Sequence, residues 1–270
     1  MPHIRFYKRP QGSKQRLIME ELDSTIPIHE EETLEDLQLG GLRLIQKKDG
    51  FRFGMDSVLL ADFAQAKPSD RVADFGCGTG ILPLLMIGRG KGKEFLGIEI
   101  QDQMAEMAQR TVLLNGLENR IRIIHADVSQ LPDVIAPCSV DAIVCNPPYG
   151  IPGQAMKNQK EGLATARHQD PNTLNRFLTT AFRVLKGKGR IFLVYPAPQM
   201  FSLMTELWNH HLEPKRFRMV YPDRNHPANL VLVEGVKDGR PRLHPLPPLI
   251  IYEQNGTLTN EMKFIYHMSE

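Results

Sequence analysis

Asp74-Phe75-Gly76-Cys77-Gly78-Thr79-Gly80 sits between Arg71-Val72-Ala73 and the apolar run Ile81-Leu82-Pro83-Leu84-Leu85-Met86-Ile87. The residues up to Phe75 read as a buried strand. Those from about 79 to 88 read as a helix, so the glycines form a strand-to-helix turn. Glycine there permits a tight bend and lets a ligand approach the backbone at a helix N-terminus. A dinucleotide fingerprint requires its third glycine at position 81, which is Ile81, so the pyrophosphate pattern misses by one residue. The G-x-G-x-G form with a preceding acid suits S-adenosylmethionine, which carries an ammonium and a sulfonium. Asp74 can serve that ammonium directly or through water. Asp74, Gly76, Cys77, Gly78 and Gly80 are therefore candidate cofactor residues.

Downstream, polar groups recur where further strands should end. Glu94-Phe95-Leu96-Gly97-Ile98-Glu99 closes on a carboxylate that can accept both ribose hydroxyls, with Ile100 beside it. Ile121-Arg122-Ile123-Ile124-His125 leads to Asp127 and Val128, and Asp127 can accept from the adenine amino group of the cofactor. Taken singly, each acid reads as a solvated strand terminus. Polar motifs at the carboxyl ends of four successive strands form a pattern, because ligands of open α/β sheets bind at that edge.

The fourth motif is Asn146-Pro147-Pro148-Tyr149, after the apolar run Ala142-Ile143-Val144-Cys145. Asn-Pro and Pro-Pro pairs also mark ordinary turns. At this position, however, they hold the parts needed for alkylating an amino group. The lone pair of an aryl amine such as adenine N6 is delocalised into the ring. Two acceptors, the Asn146 carboxamide oxygen and the Pro147 carbonyl, can take its two N–H donors and draw that pair toward a methyl donor. The prolines fix φ, and Tyr149 offers a flat face to a base pulled from its stack. Asn146, Pro147, Pro148 and Tyr149 are the candidate catalytic residues, with Asn146 also bordering the cofactor.

Other segments complete the plan. Leu42-Arg43-Leu44-Ile45-Gln46, Asp49-Gly50 and Phe51-Arg52-Phe53 give a hairpin signal. Asp56 or Ser57 is expected to cap a helix through Val58–Phe63. That helix start can close over the cofactor, which makes Gly54, Asp56 and Ser57 secondary cofactor candidates. Helices are predicted near 101–115, 172–185 and 198–211, and strands near 190–195, 214–220 and 229–236. Such alternation predicts a parallel sheet with helices on both faces. The short loop Pro222–Pro227 is too small for a crossover helix, so the last two strands should pair antiparallel. The tail from Pro241, with Leu246–Tyr252 and a turn at Asn255-Gly256, is expected to pack as a strap.

The 270 residues are 41% hydrophobic, enough for one α/β domain over 33–270, and no repeat or second domain is evident. Residues 1–32 are polar and charge-segregated and read as a flexible arm. Three cysteines without CxxC spacing and scattered histidines predict reduced thiols, no metal and a cytoplasmic protein. The N-terminus is too polar for a signal peptide, and no apolar run approaches the roughly 20 residues that span a bilayer. Formal charge is only +2, yet residues 157–190 carry eight Lys/Arg against Glu161 and Asp170. Lys157, Lys160, Arg167 and His168 are candidates for gripping substrate phosphates beside a flipped base. Arg176, Arg183, Lys186 and Lys188 read as a solvated helix face and its end. Lys215, Arg216 and Arg218 form a weaker basic candidate.

The blocks Phe53-Gly54-Met55-Asp56-Ser57-Val58-Leu59-Leu60, the glycine turn, Gly97-Ile98-Glu99-Ile100-Gln101, Asn146-Pro147-Pro148-Tyr149, Ala166-Arg167-His168 and Leu230-Val231-Leu232-Val233-Glu234-Gly235 carry a resemblance. In order and spacing, residues 40–260 resemble the bacterial tRNA-valine adenine-N6 methyltransferases. The resemblance implies a Rossmann-like class I methyltransferase with a seven-stranded, mostly parallel sheet and an antiparallel last strand. It also implies S-adenosylmethionine as cofactor and N6 of the adenine 3′ of the anticodon in valine tRNA as target. Release-factor glutamine and DNA adenine methyltransferases can use the same Asn-Pro-Pro-Tyr turn. The sequence has neither a helical recognition domain before the glycine turn nor a large target-recognition insertion. A ribosomal-RNA guanine-N2 enzyme would more often place Phe at position 149. A non-catalytic RNA-binding protein retaining the fold should have lost part of the turn, which is intact. Oligomeric state has no sequence signature here.

Overall fold

The computed structural model describes residues 26–49, 54–147 and 173–268, apart from the side chains of Pro132 and Asp133. Strands β1 (Glu32–Asp36) and β2 (Arg43–Lys47) form an antiparallel hairpin. After helix α1 (Met55–Phe63), strands and helices alternate: β3 (Arg71–Phe75), α2 (Ile81–Gly88), β4 (Glu94–Glu99), α3 (Asp102–Leu114), β5 (Ile121–His125) and β6 (Val140–Cys145). Then come α4 (Thr173–Val184), β7 (Leu185–Pro196), α5 (Met200–Asn209), β8 (Leu212–Tyr221) and β9 (Leu230–Lys237). Two-residue strands β10 (His244–Pro245) and β11 (Leu249–Ile250) and helix α6 (Asn260–Ile265) end the fold.

The main sheet runs β8-β9-β7-β6-β3-β4-β5, with β10 and β11 added in parallel beside β8. Neighbours from β7 to β5 are parallel, and β9 lies antiparallel to both β7 and β8. The expected seven strands and the reversed last one are therefore present, and the tail extends the sheet by two short strands.

Strand alternation divides the core in two. Val72, Phe95, Val144, Phe192 and Leu232 face one layer, with α1, α2 and the tail residues Ile251, Met262 and Ile265. Ala73, Leu96, Ile143, Leu193 and Val233 face the other, under Leu178 and Ala181 of α4 and Leu203 and Leu207 of α5. The tail is held as a strap by Arg89, whose Nη2 donates to the Ile265 carbonyl at 2.8 Å.

The hairpin differs from expectation. The partner of β2 is β1 upstream, and the Phe51–Phe53 arm of the predicted pair lies outside the described residues. Glu32, drawn at the end of the polar arm, is the first residue of β1. Its carboxylate takes two hydrogen bonds from Arg110 of α3, at 2.7 and 2.6 Å. His29, Glu32 and Glu106 bring three possible ligand atoms within 4.8 Å of one another. The Arg110 guanidinium bonds both acids, so it already supplies the charge they need. No helix among the described residues is long and apolar enough to cross a membrane.

Candidate active site

Strand order reverses beside β3: the chain moves outward through β4 and β5, then returns to place β6 on the other flank. The carboxyl ends at this switch point form the crevice in which open α/β sheets bind ligands. Phe75 and Cys145 are register partners across it, so the glycine turn and Asn146 leave neighbouring strands side by side.

The glycine turn is held by β4, because the N–H groups of Gly76 and Cys77 both donate to the Ile98 carbonyl at 2.9 Å. Gly76 has φ +75, and Gly80, the N-cap of α2, has φ +86; both lie in the left-handed region that favours glycine. A β-carbon on Gly76 or Gly78 would meet nothing within 4 Å. The turn therefore presents bare backbone to an open cradle, which a ligand can approach closely.

Glu99 forms the next wall. Its Oε2 accepts from Gly78 N at 2.8 Å and its Oε1 from Gln101 N at 2.9 Å. Gln101 Nε2 also reaches Oε1, at 3.5 Å, so the carboxylate is fixed at the rim while Oε2 keeps a second acceptor direction for a hydroxyl. Ile100 beside it is exposed. Asp127 ends the β5 segment and caps the short 3-10 helix Val128–Asp133, accepting from Ser129 N through Oδ1 at 2.8 Å. Val128 is buried behind it. His125 was not a sequence candidate; its Nε2 lies 3.1 Å from the Ile100 carbonyl and ties the Glu99 and Asp127 loops together. An exposed histidine on a strand has no pattern that would single it out.

Asp74 lies behind the turn. It has no exposed surface, and neither carboxylate oxygen has a hydrogen-bond partner among the described residues. Burial first, and then the negative charge of Glu99, push its carboxyl well above the usual range. A buried carboxylate without partners is stabilised by a cation nearby. The cradle and this acid together fit an S-adenosylmethionine-like ligand, flat and positively charged. Asp74 has no exposed surface, so its charge lies directly beneath the turn.

On the β6 side, Asn146 is half-buried and Pro147 buried. Asn146 Nδ2 donates to Asp56 Oδ2 at 3.0 Å, and Asp56 Oδ1 accepts from Ser57 N at 2.9 Å. Among the described residues no donor reaches Asn146 Oδ1. The expected cap of α1 is corrected here: Gly54, not Asp56 or Ser57, is the N-cap, without a side-chain cap bond, and the helix begins at Met55. Asp56 is in the first turn and turns toward Asn146, while Ser57 is buried. Pro148, Tyr149, Lys157, Lys160, Arg167 and His168 lie outside the described residues.

The second basic cluster is committed to the fold. Lys215 donates to the Arg240 carbonyl, Arg218 to Glu261 and the Pro247 carbonyl, and Arg216 to Glu234 while lying over the Phe63 ring. Each of these three cations is engaged with a partner in the fold. Lys186, bound to Asp141, and Lys188, bound to the Asp238 carbonyl, also serve the scaffold.

Sheet order, glycine turn and strand-end acids define a Rossmann-like methyltransferase. The chain belongs to the Methyltransferase small domain family, whose model matches residues 52–216. Among its relatives, a tRNA1(Val) (adenine(37)-N6)-methyltransferase of Parabacteroides distasonis is 31% identical over 69% of this chain and 77% of the relative. One of the same name from Aliivibrio salmonicida is 25% identical over 81% of this chain and 90% of the relative. The fold is also that of a predicted O-methyltransferase from Agrobacterium tumefaciens, with TM-score 0.64, 21% identity and coverage of 79% of this chain and 96% of that one. P. horikoshii TYW2 in complex with MeSAdo aligns with TM-score 0.54 and 18% identity over 78% of this chain and 73% of that one.

Proposed function

We propose that the protein transfers a methyl group from S-adenosylmethionine to N6 of an adenine in tRNA, the adenine 3′ of the anticodon in valine tRNA, and that it acts in the cytoplasm. The observation that carries the proposal is the placement of Asn146-Pro147 at the end of β6, beside the glycine turn that leaves the adjacent strand β3. That placement supports reading the Asn146 Oδ1 and the Pro147 carbonyl as two acceptors beside the cofactor cradle. The names of the relatives support tRNA as the substrate.

In this reading Gly76, Gly78 and Gly80 supply the backbone cradle, Glu99 takes the ribose hydroxyls, Asp127 takes the cofactor's adenine amino group, and Asp74 contributes negative charge from behind the turn. Bound S-adenosylmethionine supplies a methyl carbon activated by a sulfonium leaving group. Asn146 Oδ1 and the Pro147 carbonyl accept the two N–H bonds of the target amine and aim its lone pair at that carbon. Tyr149 stacks the extruded base, and Lys157, Lys160, Arg167 and His168 hold flanking phosphates. The amine carries the positive charge after transfer and loses a proton to water, so no dedicated base is needed.

The test is incubation of the protein with labelled cofactor and, separately, total tRNA, ribosomal RNA, DNA and release factors. Label in tRNA that digests to N6-methyladenosine is expected. Label in release factor alone would reject the RNA assignment.

A further inference from the structure

Asn146 has two chemically opposite ends, and the proposed reaction uses only the carbonyl end. Nothing within Asn146 chooses between a carboxamide presenting oxygen and one presenting NH2 to the incoming amine. The wrong orientation would set two donors against the donors of the substrate. The choice must come from a neighbour. That neighbour is Asp56, 90 residues earlier in the chain, whose Oδ2 accepts from Asn146 Nδ2 at 3.0 Å. A carboxylate is acceptor-only, so it can bind just the NH2 end and leaves Oδ1 facing away from itself. Asp56 is itself held. Its Oδ1 accepts from Ser57 N at 2.9 Å, and a β-carbon on Gly54 would stand 2.7 Å from that oxygen. Gly54 is therefore small where the carboxylate folds back over the start of α1.

We propose that Asp56 is a positioning residue for methyl transfer: it sets the orientation of the Asn146 carboxamide and, through its charge, makes Asn146 Oδ1 a stronger acceptor for the target amine. The proposal rests on the reading of Asn146 as the amine-binding group. It adds to the expected cofactor role of Asp56 a contact to the catalytic turn. A hydrogen bond to an anion draws electron density toward the amide oxygen, which is the direction an amine losing its lone pair requires.

The geometry makes the identities of the two residues interdependent. Asp56→Ala leaves the carboxamide free to turn, and kcat is expected to fall about tenfold to a hundredfold with cofactor Kd unchanged. Asp56→Asn still offers an acceptor to Asn146 Nδ2 and should recover most of that loss, short of wild type because the charge is gone. Asn146→Asp sets two carboxylates against each other. Methyl transfer should then be confined to acid pH, where the pair shares a proton. In Asp56→Asn with Asn146→Asp, the Asn at 56 donates to one oxygen of the Asp at 146 and leaves the other for the amine. Activity should return at pH 8, where Asn146→Asp alone is inactive.

The experiment is steady-state methylation by the four variants and wild type, with cofactor Kd by calorimetry and the product base identified in the wild-type reaction. The wild-type product tests the substrate reading, and the comparison among variants tests Asp56. Recovery at pH 8 in the exchanged pair, with unchanged cofactor Kd, supports the proposal. A loss in Asp56→Ala that lies wholly in cofactor Kd, or an exchanged pair no more active than Asn146→Asp at pH 8, would overturn it.

Discussion

A β-carbon on Gly97 would stand 2.8 Å from Cys77 Sγ and 3.2 Å from Cys77 Cβ. Strand β4 is thus cut back to glycine where the cofactor turn crosses it, and the turn's height above the sheet depends on that clearance. Gly97→Ala should displace the turn, destabilise the protein by about 1–3 kcal/mol and weaken cofactor binding. Cys77→Ala in the same chain should restore part of both, since it removes the Sγ contact and leaves the Cβ of residue 77 at 3.2 Å and Ile123 Cδ1, the end of a flexible side chain, at 2.8 Å. Urea denaturation and calorimetry check this. A fully stable, tightly binding Gly97→Ala would contradict the packing argument.

Asp74 makes cofactor binding pH-linked. Its folded-state pKa is raised, first by burial and then by Glu99. Folding therefore takes up a proton. The stabilising contribution of that proton is complete below the ordinary value of 3.8 and is lost as pH rises through the folded-state value. A cation in the cradle favours the ionised form, so binding should release a proton and tighten with rising pH across the same window. Asp74→Asn should stabilise the free protein above that window, weaken cofactor binding by about tenfold or more, and abolish the proton release. Calorimetry in buffers of different ionisation enthalpy reads the proton directly, and no release from wild type would refute the linkage.

The Glu32–Arg110 pair fastens the N-terminal hairpin to α3, with both side chains under a tenth exposed. Glu32→Gln leaves the Arg110 guanidinium paired with Glu106 alone, and a loss of about 1–3 kcal/mol is expected. The hydrogen bonds from Arg110 hold the Glu32 carboxyl below its ordinary 4.5. Its contribution is present above that value and disappears as pH falls through the folded-state value. The stability gap between Glu32→Gln and wild type should therefore close in acid, as followed by denaturation midpoints at successive pH values.

Arg216 tests whether basic residues on β8 serve the fold or the RNA. It bonds Glu234 and lies 5.1 Å from the Phe63 ring centroid. Arg216→Met should lower stability by about 2–4 kcal/mol and leave the salt dependence of tRNA binding unchanged. A shallower slope of log K against log salt would return Arg216 to the phosphate contacts.

Local chemistry made the central architecture readable. Glycine spacing, apolar strands and strand-end acids each act over a few residues, and so β3 to β6, the helices between them and the antiparallel closing pair appear close to where the pattern places them. What escaped depends on distant partners. Strand β1, ETLED, has too little apolar character to declare itself and exists because it pairs with β2 and because Glu32 meets Arg110. Strand β7 starts directly after α4, five residues earlier than expected, through the Lys186–Gly189 irregularity against β6. The strands of the tail form only beside β8. In the site, Glu99 and Asp127 were legible as strand-end acids. The bond between Asp56 and Asn146 joins side chains 90 residues apart and leaves no linear trace.

The most direct measurement is methyl transfer to tRNA by Asn146→Ala, read beside its cofactor affinity. Turnover should fall by about 10²-fold or more while cofactor Kd stays within a few-fold of wild type. A variant that keeps most of its rate, or loses rate only because it no longer holds the cofactor, would contradict the assignment of Asn146 as the group that aims the amine.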